Sequence, residues 1–407
     1  MQFPLFTARR LALGRGSFSA LIIRLGIAAV SVSIAVMILA IGIMQGYKRE
    51  ITNKITGFNA HLLINAMDFN ESFEAHPIPN NEPYRELLNQ NPEVLNTQGF
   101  IQKAGIIKTD EFIEGIILKG IGPDYDEHFL EQTLVKGRLP VLSDSIASNE
   151  VALSRYTANK LKLDTGQKVT VIFIQQDKQP VRIRRYTITG IFETGLDNYD
   201  KTYGIVDLRQ LRRLYGWKDN EVEGIEVRIK DFSRIDEVST NLAAIVPPVY
   251  NVRNARELRP QIFDWLSLLD TNVVIILTLM ILVAAINIVT ALLILILERT
   301  NMIGILKALG SRDKQIRQIF IWKAGYLILL GLLYGNIAGL GLGLIQKYTG
   351  LITLDPASYY LKQVPFDIDL LPMLAINAGT FLFCLLVLLL PARIISGISP
   401  VKAIKFD

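Results

Sequence analysis

Few residues in this chain have the types and spacing that chemistry needs. The three histidines, His61, His76 and His128, show no H-E-x-x-H arrangement of the kind that seats two imidazoles on one zinc ion. Asp124, Asp126 and Glu127 beside His128 have the composition of a metal cluster, but equally that of a solvated loop, which is the commoner outcome. Gly115 and Gly120 have the glycine spacing of a phosphate-binding loop without the Lys-Ser/Thr that must follow it. A G-x-S-x-G nucleophile elbow is absent. The single cysteine, Cys384, lies in an apolar run, so neither an intrachain disulfide nor a cysteine metal cluster can form. These residues support no hydrolase or transferase site. If the protein performs work, the energy comes from elsewhere.

One short segment stands out instead, because its apolar face needs the membrane surface, the protein's own bundle or another protein to lie against. Glu298-Arg299-Thr300-Asn301-Met302-Ile303-Gly304-Ile305-Leu306-Lys307-Ala308-Leu309-Gly310 is a short amphipathic stretch between two long apolar runs. Met302, Ile305, Leu306 and Leu309 recur at the three- and four-residue spacing of one helical face. Gly310 stands where a left-handed residue ends a helix, and Ser311 is the expected N-cap of the next. The apolar face needs a surface, with Glu298, Arg299 and Lys307 at its rim.

The elements around this segment follow from composition. Half of the 407 residues are hydrophobic, yet a fifth are charged, which fits membrane spans combined with a water-exposed domain. Of the +5 net charge, the block Lys48–Asp264 holds 28 Lys+Arg against 31 Asp+Glu, leaving 15 bases and 7 acids beside the apolar runs. That distribution suits membrane orientation rather than a nucleic-acid surface. Four spans are expected, at 21–46, 266–297, 319–345 and 371–390, each long enough for a hydrocarbon layer of ~30 Å. The first reads as an uncleaved anchor, because Met44-Gln45-Gly46-Tyr47 is a poor cleavage site. The second is expected to continue a stalk helix from Ala255.

The positive-inside rule orients them. Residues 298–318 with the start of the third span carry Arg299, Lys307, Arg312, Lys314, Arg317 and Lys323, whereas the hairpin at 346–370 carries Lys347 and Lys362. With Arg9, Arg10 and Arg15 in the 1–20 terminus and Arg393, Lys402 and Lys405 in the 391–407 tail, both termini and the 298–318 segment fall in the cytoplasm. The fold class is therefore an integral membrane protein with four transmembrane helices and a large extracytoplasmic α+β domain, 47–265, inserted between helix 1 and helix 2.

Within that domain Ala60–Asn65, Gly105–Ile107, Ile116–Ile121, Lys168–Ile174, Val181–Phe192 and Glu223–Ile229 read as strands. Arg155–Leu161, Leu208–Tyr215 and Ile235–Val246 read as helices, and Phe69–Asn91 as a loop with a short helix. In the spans, Gly331, Gly335, Gly339 and Gly343 form a four-residue stripe that lets helix backbones approach, within one subunit or between two. The intramembrane polar residues Asn287, Asn336 and Asn377 are not ionisable, which argues against an ion-coupled transporter. Arg24 is placed to snorkel to the cytoplasmic interface. Met37, Ile41 and Met44 of the first span are candidates for a greasy substrate cavity, with lipid-facing or bundle packing as the competing readings.

The segment Glu298-Arg299 with Gly304-Ile305-Leu306-Lys307-Ala308-Leu309-Gly310 resembles the coupling helix of the FtsX/MacB-type ABC transporter permeases. Met44–Tyr47, Gly57-Phe58-Asn59-Ala60-His61, Gly190–Leu196 with Tyr199-Asp200, Asp355–Tyr360 with Val364–Asp369, and Pro391–Arg393 with Pro400–Ile404 resemble the lipoprotein-releasing LolC/LolE branch. The resemblance covers essentially the whole chain. It implies a bacterial inner-membrane permease that is not itself an enzyme and binds no cofactor. ATP and Mg would sit on a separate cytoplasmic ABC ATPase dimer. The other partners it implies are a second permease copy or paralogue, a lipoprotein substrate and a periplasmic lipoprotein carrier. The connection Gln175–Pro180 is short where some members carry a long hook that grips the carrier. An FtsX-like transducer regulating a periplasmic hydrolase and a MacB-like exporter are the rival readings.

Overall fold

The computed structural model describes residues 18–67, 76–80, 83–109, 111–142, 147–174 and 180–393. The basic start of the chain, residues 175–179 of the short connection and the tail beyond Arg393 lie outside the described residues.

Two compact units divide the chain. The first takes the described residues up to Arg49, then Asp264–Thr353, and the chain from Gln363 onward. Four helices are long and apolar enough to cross a membrane. They are TM1 (Phe18–Asn59), TM2 (Pro260–Glu298), TM3 (Asp313–Thr349) and TM4 (Leu370–Val387). A continuous core joins Ile34, Met37 and Ile38 of TM1 to Ile288 of TM2, Phe320 of TM3 and Cys384 of TM4.

TM1 does not stop at Gly46, where the apolar run ends, but passes through Lys48, Arg49 and Glu50 to Asn59. Hydropathy marks where a helix leaves lipid; its hydrogen bonds carry on into water. TM2 is not continuous with a helix from Ala255, contrary to expectation. A short helix, Ala255–Leu258, closes at Arg259, and Pro260 opens TM2 at the first helical position, where its missing N–H costs nothing.

The second unit is Glu50–Phe263 with Leu354–Lys362. Its strands are β1 (Leu62–Ala66), β2 (Ile78–Pro79), β3 (Val94–Lys108), β4 (Ile113–Ile121), β5 (Leu134–Gly137), β6 (Glu150–Ser154), β7 (Lys168–Phe173), β8 (Arg182–Phe192), β9 (Tyr203–Asp207), β10 (Glu221–Val222), β11 (Gly224–Ile229) and β12 (Tyr250–Asn254). The main sheet runs β12-β1-β11-β3-β4-β9-β6-β8-β5, with β7 paired to β3 and β8. It is mixed: β4–β9 and β6–β8 are parallel, the other ladders antiparallel. One face buries Ile101, Ile107, Leu118, Val171 and Val227 with Leu88, Leu211 and Leu242 from three helices. Helix Leu208–Tyr215 has the expected bounds because Asp207 caps its start and Gly216, at φ +74°, ends it.

Candidate functional site: the helix between TM2 and TM3 and two helix-end junctions

Between TM2 and TM3 the chain forms a helix over Thr300–Ala308. Gly310, at φ +88°, donates to Lys307 O at 3.0 Å, and Ser311 N–H donates to Leu306 O at 3.0 Å. These two bonds make a Schellman closure, so the turn into TM3 is fixed by hydrogen bonding. The same closure corrects the N-cap expected at Ser311. Its N–H is already committed to Leu306, and Arg312 takes the cap position, its N–H donating to the Gln315 side chain at 3.1 Å.

The expected single apolar face is split. Ile303 and Gly304 are buried, and Met302 and Leu306 are half-buried against the bundle core. Ile305 is 50% exposed and Leu309 79% exposed. The helix therefore has two apolar sides, one seated on its own bundle and one offered outward. Glu298 and Arg312, before and after the helix, are exposed, and Arg299 is half-buried with its Nε enclosed and unbonded. Lys307 turns back to Asp313 at 2.9 Å, bracing the closure rather than joining the outward rim.

In the bundle, an ideal Cβ on Gly331 would lie 2.6 Å from Val30 Cγ1, on Gly335 2.6 Å from Ile34 Cβ, and on Gly339 3.0 Å from Ala35 Cα. The stripe thus seats TM3 on TM1 of the same chain. Gly343 has another use. With Gly42 it leaves the space filled by Phe366, whose ring would stand 2.2 Å from a Cβ at either position. Asp367 N–H donates to Gly42 O at 2.9 Å, and Arg49 pairs with Asp367 and, at 3.3 Å, with Asp369. The Met44–Tyr47 and Val364–Asp369 motifs are therefore two sides of one junction: Gly46 would meet the Phe366 backbone at 3.1 Å if it carried a Cβ.

Asn336 and Asn377 exchange side-chain amide bonds of 2.6 and 3.0 Å, joining TM3 to TM4. Met37 and Ile41 are buried and Met44 half-buried in the core cluster. A cavity of about 280 Å³ lies elsewhere, between TM2 and TM4, lined by Leu282, Ile286, Thr290, Phe383, Val387 and Leu390; none of the three residues reaches it.

The second unit holds the other junction. TM1 ends at Asn59, and Ala60 takes the left-handed conformation, φ +58°. Asn59 donates to the Tyr199 hydroxyl at 2.8 Å, and Gly57 clears room for the Phe129 ring, 2.2 Å from an ideal Cβ. His61 Nδ1 accepts Ile229 N–H at 2.8 Å, so the ring must be neutral on that side. Burial, with Arg228 nearby, lowers its pKa to about 4.

The 190–200 loop folds around Asp200, which accepts from Thr194 N–H, Thr194 Oγ1 and Gly195 N–H at 2.8 to 3.0 Å. Burial raises the Asp200 pKa against the pull of those donors. Lys54 of TM1 donates to Tyr360 O at 2.8 Å, and Glu193 bridges Arg155 and Lys362 at 3.1 and 3.0 Å. Three motifs far apart in sequence, 57–61, 190–200 and 355–360, thus meet around the end of TM1. Sequence reasoning singled out the motifs but not their meeting, and it missed Lys54, Lys119 and Glu226. A lysine in an otherwise apolar strand (Ile116-Ile117-Leu118-Lys119-Gly120-Ile121) was the available signal.

Comparison with known proteins agrees with this architecture. Residues 25–245 match the model of the MacB-like periplasmic core domain, and residues 274–400 that of the FtsX-like permease C-terminal region. The "Lipoprotein-releasing system transmembrane protein LolC" of Xylella fastidiosa is 22% identical over 97% of this chain and 96% of its own length. LolC of Neisseria meningitidis is 24% identical over the same shares. LolE of Haemophilus influenzae is 21% identical over the full length of both. Four membrane-crossing helices, the large domain between the first two and these matches lead to one assignment: the chain belongs to the FtsX/MacB-type family of ABC transporter permeases.

Proposed function

We propose that this chain is the permease subunit of an ATP-driven complex that extracts lipoproteins from the inner membrane for transfer toward the outer membrane. The reading is carried by the near-full-length similarity to the lipoprotein-releasing transmembrane proteins, which extends through both the domain and the spans. Ile305 and Leu309, exposed on a helix held rigidly by its Schellman closure, supply the mechanics. They offer a cytoplasmic ABC ATPase dimer an apolar knob, while Ile303 and Leu306 on the other side pass its movement into the bundle. In this reading ATP and Mg are bound by the ATPase, both termini are cytoplasmic, and the chain performs no catalysis of its own. A second permease copy or paralogue completes the membrane part, and a periplasmic carrier accepts the lipoprotein.

Depletion of the protein tests the reading. Lipoproteins destined for the outer membrane should accumulate in the inner-membrane fraction. Normal sorting would contradict it and favour the FtsX-like transducer or the MacB-like exporter.

A further inference from the structure

The last carbonyls of a helix have no partner within it, and the helix end is the negative pole of its dipole. At the end of TM1 two cations of the sheet take these positions. Arg228, on β11, donates from Nη2 to Gly57 O at 3.0 Å. Lys119, on β4, donates from Nζ to Phe58 O.

Lys119 is fully buried and paired at 2.6 Å with Glu226, which is 2% exposed. The second Glu226 oxygen accepts from Gln98 Nε2 at 2.7 Å, and Gln98 Oε1 accepts Asp126 N–H at 3.1 Å. Asp126 in turn pairs with Arg228 at 3.1 Å. The circuit therefore closes through β3, β4, β11 and the helix end. The rings of Phe58, Tyr125 and Phe100 surround the ammonium at 4.9, 5.3 and 5.7 Å.

As a source of stability this is a poor device, because desolvating both charges offsets most of their attraction and apolar side chains would pack as well. Burial, helped by the charge of Arg228, pulls the Lys119 pKa down, with Glu226 opposing. What an ion pair adds over a greasy contact is direction. Bonds to two successive carbonyls fix both the rotation of the helix about its axis and its position along that axis. A helix end seated only on apolar side chains could slide or turn at little cost.

We propose that Lys119, Glu226 and Arg228 are positioning residues that lock the end of TM1 to the sheet, so that displacement of the helix is delivered to the domain without slip. The inference rests on the permease reading above. Removing the lock should uncouple ATP hydrolysis from lipoprotein release without unfolding the domain.

The test uses the full complex in proteoliposomes and reads lipoprotein released per ATP hydrolysed. The double variant Lys119→Met/Glu226→Gln removes both charges and keeps an acceptor for Gln98. It should keep wild-type ATP hydrolysis and lose release per ATP at least about fivefold, the lower end of site-to-site coupling. Hydrogen exchange should rise at residues 55–61 with the strand core unchanged. Arg228→Met, which leaves the buried pair in place, should act in the same direction and serves if the double variant does not accumulate. Unchanged release per ATP in a folded variant overturns the lock and leaves the permease reading standing. A wild-type complex that hydrolyses ATP and releases no lipoprotein overturns the reading on which the lock rests.

Discussion

Ile303 and Leu309 stand six residues apart around one short helix, and their truncation should have opposite consequences. Leu309 is 79% exposed, so Leu309→Ala removes nothing from the bundle and should change stability by less than about 0.5 kcal/mol. If the ATPase covers that side, the loss is the transfer free energy of the newly buried surface. Full burial of a leucine is worth about 1.5–3 kcal/mol, and four-fifths of that is about 1.2–2.4 kcal/mol. At 1.4 kcal/mol per decade, affinity for the ATPase should fall about 7- to 50-fold. Ile303 is 0% exposed, and Ile303→Ala should cost about 2–5 kcal/mol in the bundle. Titration of purified ATPase against the permease in nanodiscs, with thermal unfolding in parallel, measures both. A Leu309→Ala protein that binds the ATPase as wild type would refute the outward assignment, and so would one that loses stability as Ile303→Ala does.

Two pH responses have opposite signs. The His61 pKa is lowered from 6.5 to about 4, so the folded state is favoured above pH 6.5. The extracytoplasmic domain should lose stability as pH falls from 6.5 toward 4, by up to about 1.4 kcal/mol per pH unit from this group. His61→Gln should flatten that slope in chemical denaturation. Glu223 goes the other way: burial lifts its carboxyl pKa from 4.5 to about 8, so stability declines between those values, and Glu223→Gln should be the more stable protein at pH 8. In the membrane, a double-mutant cycle with Asn336→Ala and Asn377→Ala should give a coupling of about 0.6 kcal/mol, the usual size for such bonds in lipid. A coupling of zero would mean that the amides do not meet.

Four spans and an α+β insertion could be read directly, because lipid imposes a length and polarity that no local context overrides. Helix Leu208–Tyr215 was equally plain, since Asp207 and Gly216 mark its ends locally. Strand β3 was seen only at Gly105–Ile107. Its longer earlier part, Val94–Ala104, includes Asn96, Thr97, Gln98, Gln102 and Lys103, which look like loop residues until β4 and β11 pair with them. Strands β6 and β9 escape a propensity reading because β6 carries Glu150 and Ala152, and β9 Gly204 and Asp207, residue types that strands disfavour. The 298–310 segment shows why a sequence pattern fixes a face only to within a turn. Met302, Ile305, Leu306 and Leu309 do share a side, but where the helix rests on the bundle cuts that side in two. Lys119 stands out in sequence as a lysine in an apolar strand, but its role does not: a buried lysine is defined by its partners Glu226 and Phe58, and neither is its neighbour in sequence.

Reconstitution bears most directly on the central claim. Liposomes containing the permease, its ATPase and an acylated lipoprotein, with a soluble carrier outside, should transfer the lipoprotein to the carrier in an ATP-dependent manner. Leu309→Asp should abolish that transfer while the protein remains inserted and folded. ATP hydrolysis by the intact wild-type complex, with no lipoprotein leaving the membrane, would contradict the account.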